Sequence, residues 1–350
     1  MSMIRLYPSG REVECKDGET VLEALENAGY ALPSNCRAGA CGECKVKVRA
    51  GNYDQGFILN MALSDQERAA GYGLMCMAKP LDDVIEIEWG TDDAQPKLFP
   101  PRENVPFVVV DKIHRTPDIV EVHLRPLGKP LRFWPGQFVT IGAPQDGAPW
   151  RSYSIANAPR RDGEIVLQVT RVEGGATSRW IHDRLQVGDR VRLNGPYGAF
   201  IGDPSADTPV LCLASGSGLA PILSLAEAAL SRGFNQPVTI IYSGRTKEDV
   251  YCRGLMAYWE AKYRKFRFIE TTTRETGDGY HKRIPELLPE LFPDLSTYSV
   301  YAAGNPDFVE ACVAKAKELG APAERIHTEG YYEQFMPEAP PPSRLMATAG

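Results

Sequence analysis

Four cysteines can do chemistry by their spacing. Cys36, Cys41 and Cys44 stand in a C-x4-C-x2-C run, and Cys76 follows Cys44 after 31 intervening residues. Thiolates at this spacing hold a [2Fe–2S] cluster, which passes one electron at a time. Two irons need four sulfurs converging on a small volume, and a tight loop can deliver three of them if its other residues are small. Ala38, Gly39, Ala40 and Gly42 meet that need, and glycine lets backbone N–H groups approach the sulfurs. A zinc site would pair its cysteines as two C-x2-C knuckles, and only one such pair is present. Disulfides suit an exported chain, and the start Met1–Pro8 carries no apolar leader, so a cytoplasmic location is expected.

The 350 residues exceed one ordinary core, so two or three domains are expected. The uncharged stretch Val210–Ala226 is broken by Gly216, Gly218 and Pro221, which does not suit a membrane helix. Cys15, Cys212, Cys252 and Cys312 read as reduced thiols. Charge is uneven. Residues 1–92 hold 9 Lys/Arg against 15 Asp/Glu, whereas the rest of the chain balances at 30 of each. An excess of negative charge disfavours a nucleic-acid partner. The acidic segment fits docking to a basic patch on an acceptor protein, or is a solvated acidic surface.

The elements that must position these cysteines follow from local signals. Residues 4–7 and 11–15 read as a hairpin around Pro8-Ser9-Gly10. Thr20-Val21-Leu22-Glu23 is a capping box opening a short helix that Gly29 closes. Strands are expected at 45–48 and 84–89. Residues 92–106, rich in Pro and charge, read as a linker region. From 107 to 200, short strands separated by turns predict a barrel. From about 205, strands at 210–214, 238–243, 266–270 and 299–303 alternate with helices at 219–231 and 307–319, which predicts a doubly wound parallel sheet. The boundaries are 1–92, a linker 93–103, 104–203, 204–336, and a Pro-rich tail 337–350 expected to be disordered.

Two segments beyond the cysteines have residue types that bind phosphate. Strand alternation puts Arg151 and Tyr153 of Arg151-Ser152-Tyr153-Ser154 on one face, offering a guanidinium fork and a flat ring. Gly174-Gly175-Ala176-Thr177-Ser178 then opens a helix, a setting for pyrophosphate oxygens. Taken alone, Tyr153 reads equally as a barrel-filling aromatic. The second segment is Gly216-Ser217-Gly218-Leu219-Ala220-Pro221. It lies between an apolar strand and an apolar helix, where free N–H groups and the helix dipole face an anion, and Pro221 fits the first turn. Arg245 closes the next strand, where a ribose would lie, and by charge alone favours a 2′-phosphate.

In this order, the cysteine loop resembles the plant-type β-grasp ferredoxin domain. Arg151–Ser154, Gly174–Ser178, Gly195-Pro196-Tyr197-Gly198 and the G-x-G-x-x-P turn resemble the ferredoxin-reductase flavoproteins. The resemblance covers residues 4–336. It implies an α+β ferredoxin domain, an all-β flavin barrel and an α/β nucleotide domain. It also implies that Arg151 holds a flavin phosphate, Tyr153 stacks on the ring and Ser154 hydrogen-bonds near its N5, with Ser152 also in the cofactor site. Gly174, Gly175, Thr177 and Ser178 would hold the pyrophosphate, and Gly216, Gly218, Pro221 and Arg245 the dinucleotide. Ala303-Gly304-Asn305 aligns with the family's C-G-P-P turn near the nicotinamide, with Ala303 in place of the cysteine. Glu333-Gln334-Phe335 resembles an E-K-F ending, which implies Phe335 over the flavin and Glu333 at its edge.

The N-terminal position of the ferredoxin is similar to that in reductase components of bacterial ring-hydroxylating dioxygenases and soluble di-iron monooxygenases. That implies FAD, a preference for NADH, and electron delivery to a terminal oxygenase or hydroxylase, or to its separate ferredoxin, docked near the acidic domain. Two other readings stay open here. One is a reductase serving a radical deoxysugar dehydratase. The other is a non-catalytic redox sensor that carries the cluster and binds nucleotide.

Overall fold

The computed structural model describes residues 1–34, 36–90, 97–203 and 206–331. Three main sheets follow one another along the chain. The first is five-stranded, in the order Arg11–Cys15, Ser2–Tyr7, Val84–Glu88, Lys45–Ala50, Tyr72–Leu74. Its central pair is parallel, Ile4 opposite Ile85 and Leu6 opposite Ile87, and all four side chains are fully buried. The helix Val21–Asn27 covers this sheet with Val21, Leu22, Ala24 and Leu25. Thr20 and Glu23 close the capping box on each other's N–H groups, and Gly29 leaves the helix at φ +84°.

The second sheet is antiparallel and six-stranded, running from Ala148–Ser154 to Ile165–Thr170 at its two ends. A bridge between Ile155 and Leu167 joins those ends, so the sheet closes into a barrel around Phe107, Val120, Val139 and Leu193. Its first strand is long, Arg102–His114. The third sheet is parallel throughout. Its order is Phe266–Thr272, Val238–Gly244, Val210–Ser215, Ser299–Gly304, Ile326–Gly330. The strand order reverses beside Val210–Ser215, which places the glycine turn at the switch point, where such sheets bind ligands. Two helices, Arg253–Lys262 and Ile284–Leu291, and the edge strand Ile326–Gly330 are present beyond the elements expected from the pattern.

The expected tail 337–350 lies outside the described residues. Residues 97–99 of the expected linker lie flat across two of the units. The carbonyl of Gly29 accepts the N–H groups of Lys97 (2.7 Å) and Leu98 (2.9 Å). The Trp134 indole donates to the carbonyl of Lys97, and Phe99 stacks on Trp134 at 5.7 Å between centroids.

Candidate functional site

The cysteine loop is built around its sulfurs. Cys36 Sγ accepts the N–H groups of Ala38, Ala40 and Cys41 at 3.3–3.5 Å, and Cys44 Sγ accepts that of Cys76 at 3.4 Å. The tight turn requires Gly39 (φ +67°). A Cβ there would lie 2.8 Å from Ile58 Cγ2. The thiols fall into two hydrogen-bonded pairs. Cys36 is drawn below the usual thiol range first by Cys41 and then by the backbone N–H groups, and Cys44 likewise by Cys76. Among the described residues, no three His, Cys, Asp or Glu side chains converge on a single ion position. Two sulfur pairs fit two irons with two thiolates each, rather than one four-thiolate cage.

On the barrel, Arg151–Ser154 lies in the strand Ala148–Ser154, with Ser152 opposite Thr140, Tyr153 opposite Val139 and Ser154 opposite Phe138. Arg151 Nη1 donates to the carbonyl of Trp150 at 2.9 Å. Tyr153 packs against the barrel core, and burial pushes its phenol up. Gly174 takes a left-handed φ of +72°, and Gly175 begins the helix Ala176–Asp183 without a side-chain cap. The two expected pyrophosphate hydroxyls face the protein. Thr177 donates to the carbonyl of Pro149 and Ser178 to that of Gly175. What remains for an anion is the set of N–H groups in the first helical turn.

In the parallel sheet, Gly218 is fixed by close approach: a Cβ would lie 2.2 Å from the carbonyl oxygen of Ala303. Gly216 (φ +54°) has open space where its Cβ would be, and its carbonyl accepts the hydroxyls of Tyr242 and Tyr251 at 3.3 Å. Pro221 lies in the first turn of the helix Leu219–Ser231. Gly304 faces Ser215, and Asn305 caps the helix Pro306–Glu318 through the N–H of Asp307 at 2.9 Å. Arg245 is not free. It donates to Asp118 of the barrel at 2.7 Å and to Asp249 at 3.3 Å.

Glu333 and Phe335 lie outside the described residues. Four residues earlier the chain carries a second acid-x-aromatic, Glu329-Gly330-Tyr331, and this one reaches the flavin strand. Glu329 Oε1 accepts the Ser154 hydroxyl at 2.5 Å, Tyr331 OH lies 3.1 Å from Ser154 Oγ, and Tyr331 OH donates to the carbonyl of Ser217 at 3.3 Å. Ser217 also accepts the Thr170 hydroxyl of the barrel at 2.8 Å. Burial pushes the Glu329 carboxyl up to about 8, against the hydrogen bond from Ser154. Its Oε2 is buried with no protein partner, as is the hydroxyl of Ser34. Both residues line a cavity of about 220 Å³ bounded by all three units, among them Glu43, Phe138, Gly198 and His327. An orphaned buried oxygen on the carboxyl that holds Ser154 fits a polar group bound there. The sequence signal for Glu329 and Tyr331 was the repeated motif. Strand register places the first copy, since Glu329 pairs with Ala303 and Gly330 with Gly304.

Three family signatures match the chain in succession. They are a 2Fe-2S iron-sulfur cluster binding domain over residues 4–81, an oxidoreductase FAD-binding domain over 106–201, and an oxidoreductase NAD-binding domain over 212–314. The chain is 36% identical to the reductase subunit of an aromatic O-demethylase from an Amycolatopsis species, covering 92% of this chain and 96% of the relative. It is 32% identical to the reductase component of a phenol 2-monooxygenase from a Pseudomonas species, covering 94% of each. Its fold matches the crystal structure of an Amycolatopsis cytochrome P450 reductase with a TM-score of 0.84 at 33% identity, over 94% of this chain and 98% of that one. It matches the ferredoxin reductase of a carbazole 1,9a-dioxygenase at 0.75 and 27%, over 95% and 98%.

Proposed function

The chain belongs to the reductase components of oxygenase systems, oxidoreductases that join a [2Fe–2S] module, a flavin barrel and an NAD domain in one polypeptide, and from that premise we propose which residues do the work. An FAD held by the Arg151–Ser154 strand and the Gly174–Ser178 turn would supply the exchange of a hydride from NADH for single electrons, and a cluster held by the four cysteines would supply single-electron transfer onward to the oxygenase. The protein supplies proximity and orientation for this sequence. Cys36, Cys41, Cys44 and Cys76 are assigned as the cluster ligands. Arg151, Ser152, Tyr153, Gly174, Gly175, Thr177 and Ser178 hold the flavin, the last two by shaping the turn. Gly216, Gly218, Pro221, Ala303, Gly304 and Asn305 form the nicotinamide nucleotide cradle. The boundaries 1–92, 104–203 and 204–336 remain our division of the three units.

The observation that carries this reading is the hydrogen-bond chain from Ser154 through Tyr331 to Ser217, with Glu329 on Ser154. It brings the flavin strand and the nucleotide turn into one site. In this reading Glu329 and Tyr331 join the flavin site, and Glu333 and Phe335, outside the described residues, keep the roles that the resemblance implies. Ser154 and Glu329 hold a proton at the flavin edge, and the raised carboxyl keeps that proton at neutral pH. The test is anaerobic reduction by NADH. The flavin band should bleach first and a reduced-cluster signal should follow in electron paramagnetic resonance. Flavin that stays oxidised under NADH would refute the reading.

The arrangement of Arg245 supports NADH over NADPH. A 2′-phosphate would have to compete with Asp118 and Asp249 for the guanidinium, and both carboxylates would repel it. The oxygenase is proposed to dock on the acidic cluster module, where Phe57 (65% exposed) and Met61 (83%) stand out from the segment packed on Gly39 and Gly42. No helix among the described residues is long and apolar enough to cross a membrane, and we place the protein in the cytoplasm. The relatives named above serve oxygenases, which favours this reading over service to a sugar dehydratase, and the catalytic modules set aside a mere sensor.

A further inference from the structure

The cluster loop meets the flavin barrel through Arg37, the residue that follows the first cysteine. Its backbone takes a left-handed φ of +55°, uncommon for a residue with a Cβ. Its guanidinium makes two hydrogen bonds to the Glu26 carboxylate, at 2.5 and 2.7 Å. The same group lies over the Tyr197 ring, with Cζ 4.2 Å from the centroid. Glu26 is 3% exposed and belongs to the helix of the cluster module, and Tyr197 is 8% exposed and ends the barrel strand Arg190–Tyr197. One cation is therefore held by a carboxylate of its own module and capped by an aromatic ring of the next.

The surroundings give that cation a second task. The cleft beside it is lined by Asp17, Glu19, Glu23 and Glu103, and among the described residues lining it Arg37 is the one cation. Glu103 comes from the barrel, so without Arg37 the two modules would present like charges to each other. The contact is also close to both redox sites. Arg37 adjoins Cys36, while Tyr197 pairs with Phe138, which in turn pairs with Ser154. The strap at 97–99 fixes the same two modules through Gly29 and Trp134, a different point of contact.

We propose that Arg37 is a positioning residue that latches the cluster module onto the flavin barrel, so that each electron leaving the flavin reaches the cluster across a fixed contact. The inference rests on the assignment of flavin and cluster made above. The step makes and breaks no bond at this contact, and one electron leaves the flavin for each one gained by the cluster. Its rate falls steeply with the gap between the two centres, so a side chain that sets the gap sets the rate. One nitrogen, Nη1, serves both carboxylate oxygens while the flat guanidinium face lies over the ring, a stacking that a compact lysine ammonium does not reproduce.

The test uses the full-length holoprotein with Tyr197→Leu, Tyr197→Phe and Arg37→Met. Stopped-flow spectroscopy under NADH should show flavin bleaching at the wild-type rate in Tyr197→Leu, with cluster reduction slower by about tenfold or more, as expected for misplaced reactants. Tyr197→Phe keeps the ring and should match wild type. Without NADH, hydrogen exchange in the loop 36–44 and small-angle scattering should report a loosened module in Tyr197→Leu and Arg37→Met. Arg37→Met probes the contact from the other side, so a folding failure in one variant leaves the other decisive. Cluster reduction at the wild-type rate in Tyr197→Leu, with the contact loosened, would overturn the proposal. So would loss of the cluster in Arg37→Met with normal transfer in Tyr197→Leu, since the arginine would then serve the cluster alone. If NADH fails to bleach even the wild-type flavin, the assignment of function fails instead.

Discussion

The cysteine loop and the Ser154–Glu329 junction satisfy their polar atoms in opposite ways. In the loop, the sulfur of Cys36 is served by N–H groups from three of the five residues that follow it. At the junction, a hydroxyl from the barrel, a carboxyl and a phenol from the edge strand, and a carbonyl from the glycine turn meet across as many as 177 residues of sequence. The hydrogen bonds to the sulfur are made within one loop, even though Arg37 of that loop also meets the barrel. A site made of side chains from two sheets exists only when they are docked, and its buried carboxyl makes it sensitive to pH. The loop is therefore the robust end of the electron path and the junction its adjustable end.

The largest effect should come from attacking the robust end. Cys41→Ser should remove the cluster absorbance and its paramagnetic signal entirely while NADH still bleaches the flavin. A retained cluster would refute the ligand assignment. Next, Tyr153→Ala removes a partly buried ring next to Ser154 in the chain and should weaken flavin retention, seen as flavin lost on gel filtration. Unchanged flavin content would show that Tyr153 fills the barrel and nothing more.

Glu329 tests the pH sensitivity of the junction. Its folded value of about 8 lies above the ordinary 4.5, so the folded state keeps a proton that the unfolded chain releases. Stability should be fullest below pH 4.5, as far as this group is concerned, and should decline as pH rises towards 8, by a few kcal/mol at most on the order of the linkage relation. Glu329→Gln should flatten that part of a thermal-denaturation profile, and an unchanged slope would place the titration elsewhere. The smallest effect belongs to an exposed pair. Asp118→Asn should raise kcat/KM for NADPH relative to NADH by about two- to fivefold, the range of a surface ion pair. No change would mean that Arg245 does not face the ribose.

The same contrast explains what could be read in the sequence. The cysteine spacing, the Thr20 capping box and the strand–turn–helix around Gly216 are local patterns, so the ferredoxin fold, the parallel sheet and the order of modules were all legible. The ending was not legible in the same way. Glu329-Gly330-Tyr331 and Glu333-Gln334-Phe335 are equivalent as patterns, and only the pairing of Glu329 with Ala303 brings the first copy to Ser154. The hydroxyls of Thr177 and Ser178 have the right chemistry for phosphate, and the sequence does not announce that they donate to the carbonyls of Pro149, 28 residues away, and Gly175. For Arg245, charge alone favours a 2′-phosphate whereas the resemblance implies NADH, and the sequence does not announce its partner Asp118, 127 residues away. The relatives add a last point. The named relatives include reductases of a phenol monooxygenase, a carbazole dioxygenase and an aromatic O-demethylase.

The most direct measurement is the order of reduction in wild-type protein mixed anaerobically with NADH, followed by flavin absorbance and freeze-quenched paramagnetic resonance. The account predicts that the flavin bleaches first and that the reduced-cluster signal grows only afterwards, with the flavin step surviving in Cys41→Ser. A cluster reduced by NADH in protein stripped of flavin would contradict it.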